Sequence, residues 1–143
     1  NWWSDKDKAG FEERTGKLVA QFDEYVAIED LHVNGKLTLG ENIADLGGLA
    51  VAYDALQREL STKKVAPIDG YTQDQRFFMN WATVWRRNFK PEELKVRLQT
   101  DPHAPARFRA IGAPSNLPAF AAAFGCQAGD PMVRPADKQV AIW

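Results

Sequence analysis

Apolar side chains recur at Leu46, Leu49, Tyr53, Leu56 and Leu60, at steps of 3, 4, 3 and 4 residues. That spacing follows the ~3.6-residue turn of an α-helix and excludes a strand, so one face of this stretch must lie against a core. The same period continues elsewhere. The segment from Gln73 to about Asn88 carries Phe77, Phe78, Trp81, Val84 and Trp85 and predicts a second strong helix. Ser4 to about Ile28 is charged and helix-prone, with Gly16 as a point where it divides in two. Pro91 opens a short helix to about Gln99, and Pro118 to Phe124 forms a last one, stopped by Gly125. Between them, Leu31 to Leu39 alternates weakly around the Asn34-Gly35 turn pair and reads as an ordered loop in preference to a hairpin. Residues 63–72 and 101–118, rich in Pro, Gly and polar side chains, read as irregular. The fold class that results is mainly α, with few or no strands.

Composition removes several function classes. The 143 residues are 45% hydrophobic, enough for a true core, and 18 basic against 19 acidic side chains leave a net charge of -1. No basic excess points to nucleic acid or an anionic membrane; the largest basic cluster is Arg86-Arg87 with Lys90. No apolar run approaches the ~20 residues that span a bilayer. Cys126 is the only cysteine, so neither an internal disulfide nor a thiolate metal cluster can form. His32 and His103 are the only histidines, which excludes a His-Glu-x-x-His zinc helix within the chain. Phosphate loops and nucleophile elbows are absent as well.

Two segments carry candidate chemistry. In Gly40-Glu41-Asn42-Ile43-Ala44-Asp45-Leu46-Gly47-Gly48, Glu41 and Asp45 stand four residues apart. On a helix they are separated by ~40° and lie ~80° from the apolar stripe, flanking the buried face. Two like charges beside a core call for a cation or hydrogen-bond donors. The bland alternative is a pair of first-turn acids favoured by the helix dipole. Gly47 and Gly48 inside a helix cost roughly 1 kcal/mol each, which a close-approaching backbone would explain. In Asp101-Pro102-His103-Ala104-Pro105-Ala106-Arg107-Phe108-Arg109, Asp101 can orient His103, His103 can donate to an oxyanion, and Arg109 can clamp a carbonyl or carboxylate. The alternative there is an Asp cap, a surface histidine and two solvated arginines. The aromatic helix around Trp81 and Trp85 is core, with a margin that can also line a pocket.

These segments together resemble the neprilysin and endothelin-converting-enzyme family of zinc metallopeptidases. Glu41-Asn42-Ile43-Ala44-Asp45 with Gly47-Gly48 is similar to its Glu-Asn-Ile-Ala-Asp-x-Gly-Gly motif, and Thr100-Asp101-Pro102-His103-Ala104-Pro105 to its Thr-Asp-x-His-(Ser/Ala)-Pro. Trp2-Trp3-Ser4, Asn34-Gly35, Phe77 to Trp85, Phe108-Arg109, Gly112 and the terminal Trp143 extend the likeness in order along nearly the whole chain. The resemblance implies a helical C-terminal part of a thermolysin-like (gluzincin) catalytic domain spanning residues 1–143, of a bacterial type without the animal disulfides. It implies Zn2+ with Glu41 as third ligand, and Asp45 as the acid behind a zinc-bound histidine and a proton donor. It implies His103, oriented by Asp101, as oxyanion stabiliser, Arg109 on the substrate carbonyl, and Val84 and Trp85 in a hydrophobic primed-side pocket. The general base and the two zinc histidines would come from a preceding part of the same enzyme. Expected partners are therefore that missing part and peptide substrates cut on the amino side of hydrophobic residues, in a periplasmic or extracellular setting. Alone, the chain is expected to bind zinc weakly and cleave nothing. An all-helical binding or scaffold module without catalysis is the alternative.

Overall fold

A computed structural model describes residues 2–142; Asn1 and Trp143, the latter part of the resemblance, lie outside them. The described chain forms six α-helices, one 3-10 turn and one two-stranded antiparallel pair. It opens with α1 (Asp5–Asp23), started by a capping box in which Ser4 Oγ accepts from the Asp7 amide at 3.1 Å and the Asp7 carboxylate accepts from the Ser4 amide. Gly16 does not divide it, because Thr15, Leu18, Gln21 and Phe22 on either side are buried on one continuous face.

The helix stops at Asp23, earlier than its sequence suggests, because the chain turns into β1 (Val26–Ile28), which pairs with β2 (Leu31–His32). A hairpin therefore does form, but its turn is Glu29-Asp30, with Glu29 in the left-handed region at φ 53°. Asn34-Gly35 serves a different purpose. Gly35 donates its amide to Asp23 Oδ1 at 2.6 Å, and a Cβ on it would overlap the Val19 carbonyl oxygen. The loop reading holds for the stretch after β2.

Next comes α2 (Leu39–Thr62), on which Leu46 and Leu49 are buried while Tyr53, Leu56 and Leu60 are half-buried. The exposed link after it contains an Ile68–Tyr71 bridge closed by Asp69 and Gly70, both at positive φ. Thr72 and Gln75 form a second capping box at the start of α3 (Gln73–Val84). Tyr53 Oη donates to Asp74 Oδ1 at 3.1 Å, joining α2 to α3, and burial, reinforced by that carboxylate, pushes the Tyr53 phenol up to about 12.

After α4 (Pro91–Thr100) the expected irregular stretch contains α5 (Ala106–Gly112), then a 3-10 turn (Pro114–Asn116) and α6 (Pro118–Phe124). The prolines responsible for the irregular reading sit at the ends: Pro105 is the N-cap of α5, and Pro114 and Pro118 open the next two elements. Proline-free residues 106–112 are left to coil. Gly125 closes α6 in the left-handed conformation, as read from sequence.

Leu18, Phe22, Leu46, Leu49, Phe78 and Phe108 meet in the core, and Val140 and Ile142 of the C-terminal tail complete it. A polar knot is buried within. Gln21, fully buried, donates to the Gly112 carbonyl at 2.9 Å and accepts from Asn116 Nδ2 at 2.8 Å. Asn116 Oδ1 then accepts the Val140 amide at 3.0 Å, which ties the tail to α1 through side chains that satisfy one another. Among the described residues no helix is long and apolar enough to cross a membrane.

The Gly35 contact has a measurable consequence. Gly35→Ala should destabilise the fold by about 1–3 kcal/mol in urea unfolding, because the backbone of Val19 has no room to yield. Gly40→Ala, at a helical position with nothing within 4 Å, should be neutral or stabilising by up to about 1 kcal/mol. Equal effects of the two substitutions would refute the close-approach reading.

Candidate functional site

Glu41 and Asp45 project from the first two turns of α2 toward α5 and the segment before it. There they meet the charged groups of the second chemical segment, although about 60 residues separate the two in sequence. Arg109 on α5 pairs with Asp45 in a two-pronged arrangement, Nε to Oδ2 and Nη2 to Oδ1, both at 2.7 Å. Both side chains are only 10% exposed. The planar fork matches the carboxylate, and the pairing offsets the cost of desolvating two charges. The Arg109 guanidinium also lies 4.0 Å over the Trp85 ring, and Trp81 Nε1 donates to the Arg109 carbonyl at 3.2 Å. Three helices, α2, α3 and α5, thus fix one side chain.

The other half of the site is more open. His103 Nε2 lies 3.2 Å from Glu41 Oε2, and its Nδ1 lies 2.7 Å from Asp101 Oδ1. Carboxylates only accept, so the Asp101 contact is a hydrogen bond donated by Nδ1, whereas the Glu41 contact is a close approach of Nε2 to a carboxylate. Arg109 Nη2 approaches the same Glu41 oxygen at 3.7 Å, with the Glu41 side chain 40% exposed. Asp101 is the C-cap of α4, not the N-cap of a following helix. Its carboxyl is held below the ordinary 3.8, first by the His103 amide donating to it at 2.9 Å; desolvation opposes this, and the His103 ring and Arg97 add to the lowering.

Arg97 was not singled out by sequence. It pairs with Asp101 at 2.8 Å and with Glu93. Its signal was present in the i, i+4 spacing to both acids on one helix. A cavity of about 190 Å³ opens beside the network, lined by Arg97, Asp101, His103, Arg109, Arg87 and Phe89 among others. Glu41 is not among its lining residues and stands at the edge of the network. Val84 is 64% exposed at the end of α3, and Trp85 is half-buried under Arg109. His32 lies elsewhere, its Nδ1 2.7 Å from the Asp23 carbonyl oxygen. Gly48 meets nothing within 4 Å, so among the described residues no approaching backbone uses the space it leaves.

The residues do not make a metal site on their own. Among the described residues no group of three His, Cys, Asp or Glu side chains could hold an ion. Glu41 offers one carboxylate, whereas the Asp45 carboxylate is taken up by Arg109. Zinc sites need at least three protein ligands, so this chain alone does not fit one.

Comparison with known proteins gives a consistent outcome. The family model of Peptidase family M13 matches residues 1–140. An endothelin-converting enzyme homolog of Locusta migratoria is 42% identical over 134 residues, which is 92% of this chain and 18% of the relative. Endothelin-converting enzyme 1 of Rattus norvegicus is 41% identical over the same share. Among solved structures, the zinc metalloprotease ZMP1 of Mycobacterium tuberculosis superposes with a TM-score of 0.95 at 38% identity, covering 100% of this chain and 23% of that one. PEPO from Lactobacillus rhamnosis gives 0.82 at 35% identity. The chain spans about a fifth of the length of these relatives.

Two outcomes are expected from the network. Arg109→Ala should lower stability by about 3–5 kcal/mol, because it leaves the Asp45 charge buried and unpaired, while adding Asp45→Leu should recover part of that loss. Additive losses in the double variant would show that the two charges do not depend on each other. For Asp101 the folded carboxyl lies below its unfolded value, so its contribution is present above about pH 4 and lost as pH falls through the lower folded value. The stability gap between wild type and Asp101→Asn should therefore be full at neutral pH and close in acid, as followed by urea unfolding across the pH range.

Proposed function

Because the chain belongs to Peptidase family M13, we propose that it is the C-terminal part of the catalytic domain of a zinc-dependent metalloendopeptidase, and that Glu41, Asp45, His103 and Arg109 are its contribution to the site. The observation that supports this reading is their convergence: four polar side chains from α2, α5 and the segment between α4 and α5 come together, Arg109 hydrogen-bonded to Asp45 and Glu41 within 3.2 Å of His103 and 3.7 Å of Arg109.

Glu41 would supply one carboxylate ligand, and imidazoles from the rest of the enzyme would supply the others. When bound, zinc supplies a Lewis acid and a water activated for attack. Asp45 would accept a hydrogen bond from a ligating imidazole and set its tautomer; a carboxylate has about four lone-pair sites, so two remain after Arg109 has taken its share. Asp101 holds the Nδ1 side of His103, and Nε2 lies on the side of Glu41. Placed there, Nε2–H would donate to the oxyanion that develops on an attacked peptide carbonyl. Arg109 has Nε and Nη2 committed to Asp45, so Nη1 is the edge left for the substrate carbonyl. Trp85, with Val84 beside it, would form an apolar wall that favours a hydrophobic residue after the cut bond. The substrates are peptides, and the setting proposed is periplasmic or extracellular.

The test is kinetic and uses the whole enzyme. His103→Ala should lower kcat by about 10²–10³-fold with zinc content unchanged. Asp45→Asn should lower zinc affinity or activity by about 10–100-fold. Glu41→Ala should remove both zinc and hydrolysis. The 143-residue chain alone should take up no stoichiometric zinc and release no product. A Glu41→Ala enzyme that keeps its zinc and its rate would overturn the assignment.

A further inference from the structure

Of the nine arginines in the chain, six have a polar partner. Arg97, Arg109, Arg58 and Arg134 face carboxylates, Arg14 donates to the Ile142 carbonyl, and Arg76 to Gln73. Among the described residues, Arg86, Arg87 and Arg107 make no such contact, and these three border one hollow. Arg86 and Arg87 follow the end of α3, Arg107 stands on the first turn of α5, and Trp85, Asn88 and two alanines complete the lining. The hollow measures about 660 Å³, and among the described residues no acid lines it.

Aromatic rings hold two of the three guanidinium groups without neutralising them. Arg87 lies 5.8 Å from the centroids of both Trp85 and Phe89, and Arg107 lies 5.6 Å over Phe108. Three like charges around one hollow repel each other, and an anion placed among them relieves that repulsion. The hollow also adjoins the site. Trp85, part of its wall, carries the Arg109 guanidinium at 4.0 Å, and Arg87 lines the smaller cavity together with His103 and Arg109.

We propose that Arg86, Arg87 and Arg107 form an anion-binding subsite that takes a peptide carboxylate, from an acidic side chain or from a free C-terminus, next to the His103–Arg109 network. Guanidinium forks pair with carboxylates through two parallel hydrogen bonds, and Arg87 belongs to both cavities, so one extended ligand can touch the network and the subsite together. The inference rests on the reading of the ligand as a peptide.

The test measures equilibrium binding to the whole enzyme by three peptides of equal length: one acidic and amidated, one neutral with a free C-terminus, and one neutral and amidated. At low salt at least one carboxylate peptide should bind about tenfold more tightly than the neutral amide. Raising the salt should shrink that ratio. It should fall toward one in Arg87→Gln/Arg107→Gln, and Arg87→Lys should keep part of it. Which peptide gains identifies the source of the carboxylate. Equal binding of all three, or a ratio that survives the double substitution, overturns the proposal. So does a lowered melting temperature of the double variant with the ratio intact, which would mean that an acid elsewhere in the enzyme fills the hollow. Hydrolysis of the same peptides separates the two readings: cleavage without preference ends this inference alone, and preference without cleavage ends the peptidase reading alone.

Discussion

The Arg109–Asp45 pair is the constraint from which the site follows. Both side chains are nearly buried, and neither charge is tolerable there without the other. Their pairing sets how far α5 slides along α2, because two parallel hydrogen bonds at 2.7 Å allow little play. Trp85 underneath and Trp81 on the Arg109 carbonyl then fix α3 to the same point. Once these three helices are seated, Glu41, one turn before Asp45, and His103, six residues before Arg109, come within hydrogen-bond reach of each other. The exposed half of the network thus inherits its position from the buried half.

The two halves differ in character. Arg109 and Asp45 form a nearly buried pair held by two hydrogen bonds, whereas Glu41, His103, Asp101 and Arg97 form a chain of contacts along the surface. Partly solvated charges can exchange partners at little cost. The roles proposed for Glu41 and His103, taking up a metal ion and turning toward a developing charge, would suit the second group. The polar knot of Gln21, Gly112 and Asn116 supports α5 from below with uncharged hydrogen bonds, so the end of the helix is anchored independently of the site.

Sequence made the long helices plain, because the stripe from Leu46 to Leu60 and the aromatic face of α3 repeat over several turns. It also brought out Glu41 and Asp45 through their helical spacing, and Asp101, His103 and Arg109 through an acid, an imidazole and a guanidinium set in one irregular stretch, with family likeness added to both. What it obscured were features shorter than one period. The seven-residue α5 was hidden by the prolines that bound it, and the hairpin by a turn lacking the usual glycine, with Glu29 in the left-handed region. Gly16 looked like a break because a local propensity was weighed without the burial around it. Arg97 escaped notice because ordinary i, i+4 pairs are common on exposed helices. The partner of Asp45 was beyond any sequence argument, since an arginine 64 positions away gives no local sign that it will be its counter-ion.

The exposed link from residue 63 to residue 72 stands apart from all of this. It leaves α2 at the end opposite to Glu41, and its side chains are uniformly exposed. Its only internal order is a small self-closing bridge at Ile68 and Tyr71. The entropy of closing such a segment grows only slowly as it lengthens. Insertions, deletions or an attached reporter peptide can therefore be accommodated there while the Arg109–Asp45 pair and the groups around it stay in register. One residue added between Asp101 and Arg109 would instead uncouple the imidazole from the guanidinium.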